Sequence, residues 1–314
     1  MAVEGGAAAG SLRMVWLELT SECQLFCTHC YAASGPGRGH GSMTAADWVA
    51  VLEQAAALGA GHAVLIGGEP TLYPDLGRVV RAALGLGMAV EVYSNLVRVT
   101  AAMWELFSVP GVSLATSWYS DDRGQHAVIT GGRDTWRQTW ANIGEAVRRG
   151  IPVRAGVVDG IVGGQRADEA VRELGALGVV DVGRDMARQF GRGTVPDPSQ
   201  ACGQCGRGVL AVLPDGSVTP CPLTRWLTAG NVRDVPLGEI AGGPLAAVTG
   251  ELRPVGACNP DCQPACPPAG LCSPKCRPVS ECRPACGPSC QPQCVPNTAC
   301  RPLCAPSSCR PSIK

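Results

Sequence analysis

The sequence predicts an α/β fold of six strand–helix repeats around a parallel sheet, with a small cysteine-rich extension at its C-terminal end. Three observations predict it. Short apolar runs alternate with amphipathic helical stretches between residues 14 and 182, which implies right-handed βαβ units. The pattern changes near Gly191, where a hairpin-like segment replaces the alternation. After Gly256 the chain becomes a run of Cys-x-Pro units, and twelve of the eighteen cysteines crowd into 258–309.

The elements follow in order. Residues 14–19 read as a buried strand, and 45–58 as an amphipathic helix that Thr44 can cap. Residues 63–66 form the second strand, followed by a helix over 75–86. Strands at 89–93, 112–116, 153–158 and 179–182 then alternate with helices at 100–107, 135–149 and 166–177. Six repeats fall short of the eight that close a barrel, and loops at the carboxyl ends of such strands carry the active site. Residues 209–213 and 217–219, joined by Pro214-Asp215-Gly216, predict a β-hairpin. Proline at the density found in the tail excludes regular helix or sheet there.

Composition narrows the function. A chain of 314 residues holds one large α/β domain and a smaller appendage. Net charge is zero, so no electrostatic footprint for nucleic acid or an anionic membrane exists. Apolar runs are strand-sized, far short of the roughly 20 residues that span a bilayer. The first ten residues carry Glu4 and no basic region before an apolar run, so no signal peptide is expected and the expected location is cytoplasmic. In a reducing compartment, cysteine clusters hold metal or do chemistry more often than they form disulfides.

Cys23-x3-Cys27-x2-Cys30 follows directly on the first strand. Three thiolates can bind three irons of a cubane and leave the fourth without a protein ligand, the open position a catalytic metal needs. Structural zinc with His29 or His40 as fourth ligand is the alternative on spacing alone.

This segment, with Tyr31 after the third cysteine, resembles the cluster-binding motif of the radical SAM superfamily. Gly67-Gly68-Glu69-Pro70 after the second strand matches that family's GGEP motif, whose residues bind the amino group of the cofactor's methionine moiety. Tyr93-Ser94-Asn95 closes the third strand where the family often has Thr-Asn-Gly. Ser117 ends the fourth strand where members place a serine near the cofactor, and Arg154 lies in the fifth, where an arginine often pairs with the cofactor's carboxylate. The resemblance covers roughly 12–190 and implies a partial (β/α)6 TIM-like barrel. It also implies a 4Fe–4S cluster with an open iron site and S-adenosylmethionine, which is cleaved reductively to a 5′-deoxyadenosyl radical that abstracts hydrogen from substrate.

Cys205-x10-Gly216-x4-Cys221 resembles the opening of the SPASM extension, an auxiliary-cluster domain of many peptide-modifying radical SAM enzymes. By that analogy Cys202, Cys205 and Cys221 with a tail cysteine ligate one auxiliary 4Fe–4S cluster, and further tail cysteines a second. Cys266-x5-Cys272-x3-Cys276 fits the family's later block, although Cys262 precedes Cys266 by x3 instead of x2. A second register, Cys276-x5-Cys282-x3-Cys286, fits equally well. A triad and two fully ligated auxiliary clusters use eleven of the eighteen cysteines and leave seven over. The resulting division is 12–190 for the barrel, 191–257 for the hairpin region and 258–314 for the tail.

The resemblance implies a peptide maturase acting on a ribosomally made precursor peptide, giving a crosslink or an epimerised residue. A separate leader-recognition protein and an electron donor such as ferredoxin or flavodoxin are the expected partners. A sulfatase-maturase-like or cofactor-biosynthesis oxidase is the second enzyme reading, although Pro222 stands where that first branch has an aspartate base. A reading from another class is a non-catalytic protein that stores metal or senses redox state through its tail.

Overall fold

In the computed structural model, which describes residues 12–132, 134–250 and 252, the strand–helix alternation is realised as one sheet. In chain order the elements are β1 (Met14–Glu18), α1 (Ala45–Ala57), β2 (His62–Ile66), α2 (Leu76–Gly85), β3 (Ala89–Tyr93) and α3 (Ala101–Phe107). There follow β4 (Val112–Trp118), α4 (Arg123–Ile129), α5 (Trp136–Arg148), β5 (Val153–Asp159), α6 (Ala167–Ala176) and β6 (Asp181–Met186). The last part holds β7 (Val209–Val212), β8 (Ser217–Thr219), β9 (Gly230–Asn231), α7 (Leu237–Gly242) and α8 (Pro244–Gly250).

Strands β1 to β6 are parallel neighbours in sequence order, the half-wound barrel that the six repeats predict. The hairpin is not a separate unit. β7 pairs parallel with β1, from Met14↔Val209 to Leu17↔Val212, and β8 and β9 extend the sheet antiparallel. This pairing covers the edge that β1 would otherwise expose.

Alternation along the strands sorts side chains onto two faces. Val15, Leu17, Leu65, Val90, Val92 and Leu114 are buried in one core cluster with Trp48, Leu52, Val79 and Ile143 of the helices. The opposite face carries Trp16, Ile66, Tyr93, Ser117 and Val158 into a cavity at the carboxyl ends of the strands.

Local chemistry sets the element ends. Thr44 caps α1 in a reciprocal box with Asp47, each side chain bonding the other residue's backbone N–H. α4 is an element that the sequence pattern does not signal. It has no apolar periodicity, and Asp122 starts it by accepting from the Gln125 N–H at 2.8 Å. β6 begins two residues later than the apolar run 179–182 and extends to Met186, because its register follows β5 from Arg154↔Asp181 to Asp159↔Met186. Among the described residues, no helix is long and apolar enough to cross a membrane.

Candidate catalytic centre

The chain leaving β1 makes a long loop whose backbone is tied at several points. The Glu22 carboxylate accepts from the N–H groups of Gly39 (2.9 Å) and Gly37 (3.0 Å), which holds its pKa below the usual range. Thr20 Oγ1 lies 2.8 Å from His40 Nδ1 and accepts from the Glu22 N–H. On the far side, Phe26 and Thr28 donate backbone hydrogen bonds to the carbonyls of Thr130 and Ile129 at the end of α4. The unexpected helix thus braces the loop that carries the cysteines.

Cys23, Cys27 and Cys30 all line the cavity. Burial pushes the Cys23 and Cys27 thiols up to about 12, and the neighbouring cysteines push further in the same direction. Cys23 Sγ accepts from the Leu25 N–H at 3.4 Å, with Asn95 Nδ2 at 3.7 Å. Yet no three His, Cys, Asp or Glu side chains among the described residues converge on a point that one ion could fill. Three thiols that line one cavity without converging on a single point suit a polynuclear cluster better than a single zinc ion. His40 is engaged by Thr20, and His29 packs edge-on against Tyr119 at 5.0 Å with its pKa lowered by burial to about 4.

The two glycines of the GGEP segment lie against the same loop. A Cβ on Gly67, where φ is +138°, would meet the Thr20 carbonyl at 2.4 Å, and one on Gly68 would meet the Glu22 carbonyl at 2.2 Å. This closeness lets Gly68 N–H bond Thr20 O at 2.7 Å and Glu69 N–H bond Glu22 O at 2.9 Å. Gly68→Ala should push the cysteine loop off its seat, destabilise the fold by about 1–3 kcal/mol, and lower iron retention. A thermal melt and an iron assay matching wild type would refute this.

Glu69 does not reach the cavity. It is fully buried and accepts four hydrogen bonds, from Thr71 N–H (3.1 Å), Thr71 Oγ1 (2.8 Å), Ser94 Oγ (2.8 Å) and Asn95 N–H (2.8 Å). Its carboxylate ties the GGEP segment to the end of β3, leaving Gly67 and Gly68 as the part of the motif that faces the cavity.

Ser94, Asn95 and Ser117 line the cavity, as their strand-end positions predict. Asn95 also pairs its amide with that of Gln24, at 2.9 and 3.2 Å, inside the cysteine loop. Arg154 is placed elsewhere. Its guanidinium is bidentate to Glu91 (2.7 and 3.2 Å) and lies over the Tyr93 ring, outside the cavity lining. The in-register ladder explains this: Glu91 and Arg154 lie on the same face of strands two apart, and the nearest opposite charge captures the arginine.

The cavity is about 460 Å³ and reaches the second cysteine group, with Cys221 and Pro222 in its wall. Cys205 interacts with both Cys202 and Cys221, which pulls Cys202 down to about 6 and pushes Cys205 up. Cys205 and Leu227 are buried in a small apolar cluster of their own, against Trp226 and Cys221. Cys262, Cys266, Cys272 and Cys276 lie outside the described residues.

Sequence reasoning missed three features of the site. Tyr119 and His126 line it from the region of β4 and α4, and Asp185 at the end of β6 pairs with Arg188 just after it (3.2 Å) in the cavity wall. Only their places near strand ends could have flagged them. The third is a buried ion pair between Glu18 of β1 and Arg225, near the second cysteine group. Glu18 is wholly inaccessible, and its Oε1 has no partner among the described residues.

Burial raises Glu18 to about 7 despite the attraction of Arg225, with a smaller upward push from Asp215. Between pH 4.5 and about 7 the folded protein holds a proton that the unfolded chain has released, so stability falls as pH rises through this window. The loss is about 3 kcal/mol by linkage. Glu18→Gln should flatten the profile, and denaturant melts at pH 5 and pH 7.5 that fall equally in both proteins would contradict it.

Comparison with known proteins agrees with this geometry. The radical SAM superfamily domain matches residues 17–177, and the SPASM iron–sulfur cluster-binding domain matches residues 202–267. A PqqA peptide cyclase of Methylobacterium nodulans is 28% identical over 272 residues, covering 71% of this chain and 71% of that protein. An AdoMet-dependent heme synthase of Methanosarcina barkeri is 28% identical over 144 residues, covering 46% of this chain and 41% of that protein. Streptococcus suis SuiB shares the fold with a TM-score of 0.64 at 15% identity, covering 80% of this chain and 70% of that one. AdoMet-bound anSMEcpe superposes with a TM-score of 0.62 at 13% identity over 75% of this chain and 82% of its own. The chain belongs to the radical SAM superfamily, an enzyme with a 4Fe–4S cluster and S-adenosylmethionine as cofactors and a SPASM region for auxiliary iron–sulfur clusters.

Proposed function

We propose that this enzyme is a peptide maturase that joins two positions of a ribosomally made precursor. One observation carries the reading: a single cavity has Cys23, Cys27 and Cys30 in one wall and Cys221 in another. When bound, the cofactors supply a 5′-deoxyadenosyl radical that takes a hydrogen atom from an unactivated carbon. Closing a crosslink then requires that the substrate lose one further electron and one proton. Cys221 lines the cavity where it would hold part of an auxiliary cluster, which would supply an electron acceptor beside the substrate, whereas an epimerase needs a hydrogen-donating thiol there instead. The chain's own part is to hold substrate between the two cysteine groups and to keep water out with an apolar wall that includes Trp16, Leu25, Ile66 and Phe190.

The relative named for PqqA peptide supports a peptide substrate. Pro222 in the cavity wall, in place of an aspartate, speaks against the sulfatase-maturase reaction. An electron donor of the ferredoxin or flavodoxin class and a separate leader-recognition protein complete the proposal. The test is anaerobic reconstitution, chemical reduction and incubation with S-adenosylmethionine and synthetic peptides for each short open reading frame found beside the gene. Release of 5′-deoxyadenosine with loss of two hydrogen atoms from the peptide is the expected result. An unchanged mass with one deuterium gained in heavy water would establish epimerisation and overturn the crosslink.

A further inference from the structure

The segment after β6 passes directly under the cysteine loop and is joined to it by more contacts than any motif of the sequence suggests. Gly191 has φ of +90°, and a Cβ there would meet the Cys30 carbonyl and the Tyr31 Cα, each at 2.3 Å. The next residue, Arg192, donates its backbone N–H to the Cys30 carbonyl at 2.9 Å. Its guanidinium then forks: Nε donates to the Cys27 carbonyl at 3.0 Å, and Nη2 donates to the Ser34 carbonyl. Its Cζ also lies over the Phe26 ring, 3.4 Å from the centroid. Arg192 so touches four residues of the loop, with contacts at two of its three cysteines. Among the described residues no carboxylate is paired with it, so its charge is directed at the loop.

We propose that Arg192 is a positioning residue for the catalytic cluster, holding the Cys23–Cys30 loop in its binding shape and placing a fixed positive charge beside the thiolates. Arginine suits the place because a planar fork can reach two carbonyls while stacking on an aromatic ring, and lysine cannot do all three. A cation here offsets the negative charge of three thiolates and favours the more negative, reduced state of the cluster, since net charge and local hydrogen bonding set such potentials. Phe190, two residues before, stacks on Trp226 at 5.2 Å. The same short segment thus joins the catalytic loop to the part of the chain that carries Cys221. The inference depends on the cluster and not on the substrate.

The test uses the full-length reconstituted protein and two variants, R192Q and R192K. Two measurements read the catalytic cluster apart from the auxiliary ones: the EPR signal that changes on adding S-adenosylmethionine, which needs an open iron, and the midpoint potential of that signal. R192Q should hold the cluster about ten- to a hundredfold less tightly, the range of affinity loss for partners behind metal ligands, and so lose the responsive signal faster than wild type under chelator challenge. Its potential should also move to a more negative value. R192K should keep the potential near that of wild type and still lose the signal faster, because it keeps the charge without the fork. If R192Q cannot be isolated folded, R192K alone decides, by a signal lifetime shorter than wild type at an unmoved potential. Wild-type lifetime and potential in R192Q, or a wild-type lifetime in R192K, would overturn the proposal. Failure of the peptide reading would leave these signals untouched, so the two cannot be confused.

Discussion

Cys27→Ala should release no 5′-deoxyadenosine above the blank and should carry about four fewer irons per chain than wild type. The argument rests on ligand number. The loop offers three thiols, all lining one cavity, and a cubane that must keep one iron open has no ligand to spare. The nearby histidines do not substitute: His40 is bonded to Thr20, and His29 packs on the Tyr119 ring. The fold should survive. Cys27 sits in a loop that remains anchored by Glu22, Gly68 and Arg192, so the melting temperature of the metal-free protein should change little. Cys221→Ala supplies the contrast, because its side chain belongs to the separate apolar cluster with Cys205 and Leu227. That variant should lose auxiliary iron and any crosslinked product while still cleaving S-adenosylmethionine. Iron and sulfide assays with chromatography of the nucleoside products check both. Wild-type release of 5′-deoxyadenosine by Cys27→Ala would remove the triad from the chemistry.

The parts of this site that could be read in the sequence are those whose cause is local. Alternating periods of two and 3.6 placed six strands, and the carboxyl end of each strand is a short step in sequence from its motif. Cys23, Gly67, Gly68, Ser94, Asn95 and Ser117 therefore gather as expected. The parts that could not be read depend on which strand lies beside which. Arg154 has the residue type for a carboxylate partner, but its partner is Glu91, 63 positions away in the chain, which lies two residues before Tyr93, the residue level with Arg154, on the same face of the sheet. β7 has the apolar composition of any short strand, and nothing within it points to β1 as its neighbour. Arg192 lies in a stretch without periodicity, and only the packing of Gly191 on Cys30 and Tyr31 reveals what it holds. Leu96 shows a local conflict settled by tertiary contacts. It takes φ of +52°, the left-handed backbone region that favours glycine. Its side chain is fully buried, its N–H bonds Ser94 Oγ at 3.0 Å and its carbonyl accepts from Asn142 at 2.7 Å. Burial of a leucine contributes about 1.5–3 kcal/mol, which exceeds the roughly 1–2 kcal/mol that the left-handed backbone costs.

Glu69→Ala should be among the most damaging single changes outside the cysteines, for reasons of structure more than of contact with the cofactor. Two effects oppose each other. Burial raises the Glu69 pKa, so the carboxylate is not fully compensated where it lies, and removing its charge recovers some of that penalty. Against this stand four donors that would lose their acceptor in a site closed to water: two from Thr71, one from Ser94 and one from the Asn95 backbone. Each buried donor left unsatisfied costs about 1–3 kcal/mol. Threonine and serine hydroxyls can turn toward other acceptors, but the two backbone N–H groups cannot. The donors win, with a net loss of about 2–4 kcal/mol, equivalent to a drop of about 5–15 °C in melting temperature for a domain of this size. Glu69→Gln keeps the shape and removes the charge, yet it turns an NH2 group toward at least one donor, so its loss should be about 1–3 kcal/mol. Both variants should bind S-adenosylmethionine less tightly, because Gly68 and Asn95 are the two ends that the carboxylate holds together. Calorimetric melts of the metal-free proteins isolate the structural part, since no cofactor contributes there. If Glu69→Ala melts within about 3 °C of wild type, the carboxylate is not the tie between β2 and β3, and its place in the motif has to be explained by direct contact with the cofactor.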